Sequence, residues 1–249
     1  MIENAPPPNW RELQNNTERI LTECGLDAYT DVGMRLARGT VNVDVLAIDR
    51  SVTPRAMYIC ECKHWKKAVS KDIIHGFRTV VIDAGAHRGF IISSGGFQKG
   101  TYEAAEHSNV DLVDWQAFQQ IFVQRWFGTF MAPALLKEGN PLHEYTEPIN
   151  SRIMRKASAL PAHKQDRFRR LRELYEIPSF VLLMLCFDPF KRTPKVPVLP
   201  LRSSLGPRAP IDLPADILDA SALRPLMQVV TKFYRQATAE FDEIFGGRA

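Results

Sequence analysis

Asp44, Glu61 and Lys63 are the residues whose types and spacing could do chemistry in this chain of 249 residues. Asp44 is the one charged residue inside the apolar run Val41–Ile48. Glu61 and Lys63 end a second run, Met57-Tyr58-Ile59-Cys60-Glu61-Cys62-Lys63. Both runs are predicted to be strands. Residues two apart on a strand point to one face, so Glu61 and Lys63 project together and could meet Asp44 across a hairpin pairing. Two carboxylates and an amine would then share one site. Carboxylates that close repel each other without a cation, and such hard oxygen donors suit Mg2+ or Mn2+ rather than zinc. Metal-assisted hydrolysis is the chemistry they imply.

A competing pattern overlaps the same residues. Cys60, Cys62 and His64 read C-x-C-x-H, a zinc-like spacing, but no second Cys or His cluster completes four ligands. The two cysteines face away from Glu61 and Lys63 and are expected to be small core packers.

The elements around the site follow from periodicity. Trp10, Leu13, Ile20, Leu21 and Cys24 recur at helical spacing and Gly25 supplies a stop. Tyr29–Leu36 reads as a short strand or loop, and Arg38-Gly39-Thr40 as a turn into the Asp44 strand. After Lys63 come Lys66 and Lys67, a charge run on a loop beside the site of the kind that is usually solvated but, with Lys71, could contact nucleic-acid phosphates. A helix follows from Val69 to Ala84, with Ser70 as its expected cap and Lys71 near its start. Gly89–Ser93 reads as a buried strand, Ser94–Phe97 as a turn, Gly100–His107 as a helix, Val110–Val113 as a strand and Trp115–Trp126 as a helix.

This ordered set, D followed by E-x-K with the opening helix and the later strand and helices, resembles the PD-(D/E)xK nuclease core. More specifically, residues about 10–122 resemble the Mrr-like restriction endonuclease domain. The resemblance implies an α/β fold of the restriction endonuclease-like kind, a mixed sheet flanked by helices. It implies that Asp44, Glu61 and the main-chain carbonyl of Cys62 hold Mg2+ or Mn2+, while Lys63 orients or deprotonates the attacking water. In the family a Glu often reaches the site from the first helix. Gln14 stands at that position here, and Glu18, one turn further on, is the alternative.

Composition is that of a globular protein, with 45% hydrophobic and 24% charged residues. The formal charge of +4 is unevenly spread. Residues 1–128 carry 14 Lys and Arg against 15 Asp and Glu, and residues 129–249 carry 18 against 13. No apolar run approaches the ~20 residues of a membrane span. The N-terminus, with Pro6-Pro7-Pro8, does not read as a signal peptide, so a cytoplasmic protein with four reduced cysteines is expected.

Two domains are expected, a nuclease domain over 1–128 and a mainly helical region over 129–249. In the second, Gly139-Asn140-Pro141 and Glu147-Pro148 read as a loose connection. Gln165–Glu176 reads as a basic helix whose Arg167, Arg169, Arg170 and Arg172 could contact phosphates. Residues 188–214 are Pro-rich and predicted to be extended. The final helix, about Ser221–Phe245, carries an apolar stripe of the kind that more often packs within its own chain but at a chain end could serve a homodimer or a protein partner. The function expected is metal-dependent DNA hydrolysis in restriction or defence. The alternative is a non-catalytic nucleic-acid-binding or assembly module on the same fold.

Overall fold

The computed structural model describes residues 1–187, 194–206 and 212–247. The chain divides into two compact units, one of Met1 and Ala5–Thr129, the other of Ile2–Asn4 and Phe130–Ala249.

The first unit is built on a five-stranded sheet in the order β1-β2-β3-β4-β5. The strands are β1 (Asp27–Leu36), β2 (Gly39–Asp49), β3 (Ala56–Lys63), β4 (Arg88–Ser93) and β5 (Val110–Val113). β1, β2 and β3 pair antiparallel, while β4 and β5 join in parallel, so the sheet is mixed. Its helices are α1 (Trp10–Glu23), α2 (Lys71–Asp83), α3 (Thr101–Ala105) and α4 (Trp115–Trp126). The alternation of side chains sorts the layers. On one face Cys62 Sγ meets Thr17 of α1, and Phe90 packs edge-on against Phe118 and Phe122 of α4. On the other, Ile59 and Ile91 form a core with Ile74, Phe77 and Val81 of α2. This is a restriction endonuclease-like sandwich, as the order of elements implies.

α1 stops where its sequence says. The Asn9 side chain caps its start at 2.9 Å, and after Cys24 the left-handed Gly25 (φ 81°) turns the chain so that Leu26 N–H reaches Leu21 O at 3.1 Å. Three details differ from expectation. β1 is a full strand of ten residues rather than a short strand or loop, because pairing with β2 holds it despite its mixed burial. Ser70 precedes α2 without a capping hydrogen bond, and α3 spans only Thr101–Ala105.

The second unit is helical: α5 (Ala132–Thr146), α6 (Ser151–Ser158), α7 (Ala162–Cys186), α8 (Leu201–Leu205), α9 (Ala215–Leu218) and α10 (Leu223–Phe245). Gly139-Asn140-Pro141 is no loose connection but lies inside α5. Gly139 is there for packing: a Cβ on it would stand 2.7 Å from Tyr234 Cζ of α10. The basic helix runs through Pro178 to Cys186, the buried proline being carried by the packing of its neighbours Ser179 and Leu182. α10 buries Leu223, Leu226, Val230, Tyr234, Ala237, Phe241 and Ile244 within its own unit, where Tyr145 stacks on Phe241 at 4.9 Å and Phe168 meets it edge-on at 5.7 Å. The stripe expected to offer a dimer surface is therefore spent on the core, which corrects that expectation. Of the Pro-rich segment, Pro189, Pro207 and Pro210 lie outside the described residues, Pro194 and Pro197 lie in chain without regular secondary structure, and Pro200 and Pro214 immediately precede α8 and α9.

Candidate active site

The last pairs joining β2 to β3 are Leu46 with Ile59 and Val45 with Cys60. One residue further on each strand stand Asp44 and Glu61, on the sheet face of Leu46 and Ile59. The pairing stops there, and the Asp44 carboxylate accepts the Cys62 main-chain N–H at 2.6 Å. Lys63 donates to Glu61, and its Nζ lies 5.0 Å from the centre of the Trp65 ring, a favourable place for a cation. Both side chains of the pair are about four-fifths buried, at 18% and 22% exposure.

Burial pushes the Asp44 carboxyl above its usual value; the Cys62 N–H, Lys63 and the Trp10 side chain counter this, and the Asp31 charge adds to it. Glu61 is raised by burial too, against its bond to Lys63, and the Asp44 charge raises it further. The Asp44 charge thus makes ionisation of Glu61 more costly, as the Asp31 charge does for Asp44, which is the setting a bound cation relieves. Among the described residues no group of three or more His, Cys, Asp or Glu is gathered as a metal cluster. The donor set is two carboxylates with the Cys62 main chain between them, and its hard oxygens fit Mg2+ or Mn2+.

Cys60 and Cys62 are buried beneath the sheet, where loss of solvent drives both thiols upward. His64 turns instead to the Pro7 carbonyl, 3.1 Å from Nε2. The C-x-C-x-H spacing is thereby pulled apart.

Gln14 is fully buried. Its Nε2 donates to the Asp44 main-chain oxygen at 2.8 Å and to Asp31 Oδ1 at 3.0 Å. Glu18, the alternative on α1, instead accepts the Thr22 hydroxyl at 2.9 Å. Of the two, Gln14 is the one in contact with the site. Asp31, Arg11, Trp10 and Trp65 were not singled out from the sequence, and an isolated acid in a strand of mixed burial gives no periodic signal by which to find Asp31.

The loop after Lys63 is fixed by the turn at Ser94. Ser94 N–H donates to Lys63 O at 3.0 Å and its hydroxyl to Trp65 O at 3.1 Å. A Cβ at Gly95 would meet Trp65 O at 2.5 Å and Lys67 O at 2.6 Å, so the glycine allows two backbones to touch. Lys66, Lys67 and Lys71 are exposed along this edge. In α7 the arginines part company. Arg167 pairs with Glu243 at 2.7 Å and Arg169 with Asp166 at 3.4 Å. Arg172, only 15% exposed, bonds Thr146 O and Met154 Sδ, while Arg170 stays exposed. The four do not form one phosphate-binding face, because helical spacing turns Arg172 inward. A cavity of about 900 Å3 lined by Tyr58, Arg88, Phe90 and Tyr102 includes none of Asp44, Glu61 and Lys63.

Residues 9–122 match the family model described as restriction endonuclease, the Mrr-type catalytic domain. The match covers less than half of the chain, and the mixed sheet flanked by helices over that segment is consistent with an Mrr-like restriction endonuclease domain of the PD-(D/E)xK kind. A search of curated proteins finds no match. Among solved structures, a crystal structure of a protein of unknown function, AF1548, aligns over 96% of this chain and 99% of its own at 13% identity and a TM-score of 0.38. No helix among the described residues is long and apolar enough to cross a membrane.

Proposed function

We propose that the chain is a metal-dependent endonuclease that hydrolyses phosphodiester bonds in DNA, serving restriction or defence. The observation that carries this reading is the convergence of Asp44, Glu61 and Lys63 on one sheet face, with Lys63 bonded to Glu61 and the Asp44 charge felt by Glu61. Asp44, Glu61 and the carbonyl of Cys62 would hold Mg2+ or Mn2+. Bound there, the cation supplies a lowered water pKa and neutralisation of charge developing on the phosphate.

The chain's own residues do the rest. Residues of a strand pair exchange both main-chain groups with one neighbour, so the Cys62 carbonyl faces the β2 edge that its N–H already meets. Lys63, donating to a carboxylate beneath an aromatic face, is disposed as an N–H donor that orients the attacking water beside the scissile phosphate. Lys66, Lys67 and Lys71 are the cations nearest in sequence to that edge, available to hold the DNA backbone. Four free, buried cysteines suit a reducing, cytoplasmic setting.

The test is incubation of the purified chain with plasmid DNA and Mg2+ or Mn2+, with EDTA as control. Nicking or linearisation that EDTA abolishes is expected. Intact plasmid under every metal condition, from a folded protein, would overturn the reading.

A further inference from the structure

Asp31 is one of two described residues other than glycine with a positive φ, at 53°. It sits in the middle of β1, where that conformation is unfavourable and persists only if the surroundings hold it. The β1–β2 pairing passes from Thr30 with Val45 to Val32 with Val43, and the residues left unpaired between them are Asp31 and Asp44. At that gap the Asp44 carbonyl accepts from Gln14 Nε2 at 2.8 Å, and the same nitrogen donates to Asp31 Oδ1 at 3.0 Å. Arg11 closes the set, donating to Asp31 Oδ2 at 2.8 Å and to Gln14 Oε1 at 3.2 Å. Both N–H groups of the buried amide are used, and its oxygen accepts from Arg11.

We infer that Gln14 and Asp31 are positioning residues, a clamp that fixes the main chain at Asp44 and with it the place of the Asp44 carboxylate beside Glu61. A glutamate at 14 could not do this, since a carboxylate offers no donor to the Asp44 carbonyl or to Asp31. The left-handed turn at Asp31 serves the same end. It interrupts the ladder at the residue whose carbonyl Gln14 must reach, and it aims the Asp31 side chain at the amide. A strained backbone beside a reactive group is the usual place for such a trade of stability against function. The inference rests on the nuclease reading for its purpose but not for its test.

The test uses the full chain and Mn2+ alone, measuring affinity by calorimetry and stability by thermal unfolding. Asp31→Gly removes the carboxylate while accepting the left-handed backbone, so the melting temperature should hold or rise as Mn2+ affinity falls by about 10- to 100-fold, the scale typical of outer partners of metal ligands. Asp31→Asn keeps an acceptor oxygen and tolerates positive φ, and should recover most of the affinity. Gln14→Met, of similar volume but without donors, should behave like the glycine variant in Mn2+ affinity. Wild-type Mn2+ affinity in Asp31→Gly or Gln14→Met would overturn the clamp. If the wild-type chain cuts no DNA yet shows this pattern of Mn2+ affinities, the nuclease reading fails and the clamp stands.

Discussion

The Asp44 carboxylate accepts the main-chain N–H of Cys62 at 2.6 Å, replacing with a side chain the ladder bond that the end of the β2–β3 pairing does not supply. One contact thereby ties the lone strand acid to the peptide between Glu61 and Lys63. Through it the Asp44 end of β2 is held to the stretch of β3 that carries Glu61 and Lys63.

That grouping is costly without a cation. Burial raises both carboxyls, so their neutral forms favour the fold; this contribution is present below the unfolded pKa of about 4 and is lost as pH rises through the folded values. Asp44→Asn should therefore raise the metal-free melting temperature at pH 7 by about 2–4 °C, the equivalent of about 1 kcal/mol at this chain length, and leave it unchanged near pH 3. Cleavage should be lost in that variant and in Glu61→Ala, and fall at least about 100-fold in Lys63→Ala. A metal-free Asp44→Asn protein less stable than wild type at pH 7 would mean that the pair is not strained.

Arg125 of α4 pins the opposite end of β2. It pairs with the buried Asp49, and its Nε donates at 2.7 Å to Cys24 O at the end of α1. The Arg125 guanidinium holds the Asp49 carboxyl far below the usual carboxylate range, helped by Ser51. A depressed carboxyl stabilises above its unfolded pKa and loses that contribution as pH falls through the folded value. Arg125→Ala should cost about 3 kcal/mol at pH 7, because it strands a buried charge. The deficit should shrink below about pH 4. Thermal unfolding from pH 7 down to pH 2 checks the direction, and a constant deficit would deny the pair its electrostatic role.

Much of this was legible in the residues, and what was not has physical causes. Apolar periodicity located the helices and four of the five strands of the first unit, whereas β1, of mixed burial, was legible only as a short strand or loop. Glu61 and Lys63 share a face because side chains on strands alternate, which spacing alone conveys, while Asp44 joins them through the β2–β3 register. Asp31 stayed hidden because its part depends on a backbone angle, and composition does not carry one. Gly139-Asn140-Pro141 misled because the same residues signal a loop in isolation and a close helix contact in a core. In α7, counting charges does not convey which side of the helix each arginine occupies, and of the four Arg172 turns inward.

The exposed lysines can be tested through salt. Each phosphate contact releases counterions, contributing about 0.9 to the slope of log affinity against log salt. Replacing Lys66, Lys67 and Lys71 with Ala should weaken DNA binding and flatten that slope by about 2–3 units in total. Arg172→Ala should leave the slope unchanged while lowering the melting temperature, since its guanidinium bonds Thr146 O and Met154 Sδ inside the second unit. An unchanged slope in the lysine variant would move the search to Arg170.

Gly139→Ala sets two effects of known sign against each other. Alanine is the better helix former by about 1 kcal/mol at an interior position, and Gly139 lies well inside α5. Against this, the new Cβ would stand 2.7 Å from Cζ and 2.8 Å from Cε2 of Tyr234, distances no relaxed contact adopts. Tyr234 is 3% exposed in α10 and has little room to retreat. Overpacking of a close-packed interface costs about 1–3 kcal/mol. The steric term should win, so the melting temperature falls, and adding Tyr234→Leu should recover part of the loss by vacating the clash. A rise in melting temperature for Gly139→Ala alone would show that α5 and α10 can separate slightly without penalty, and the helix-propensity argument would then decide the position.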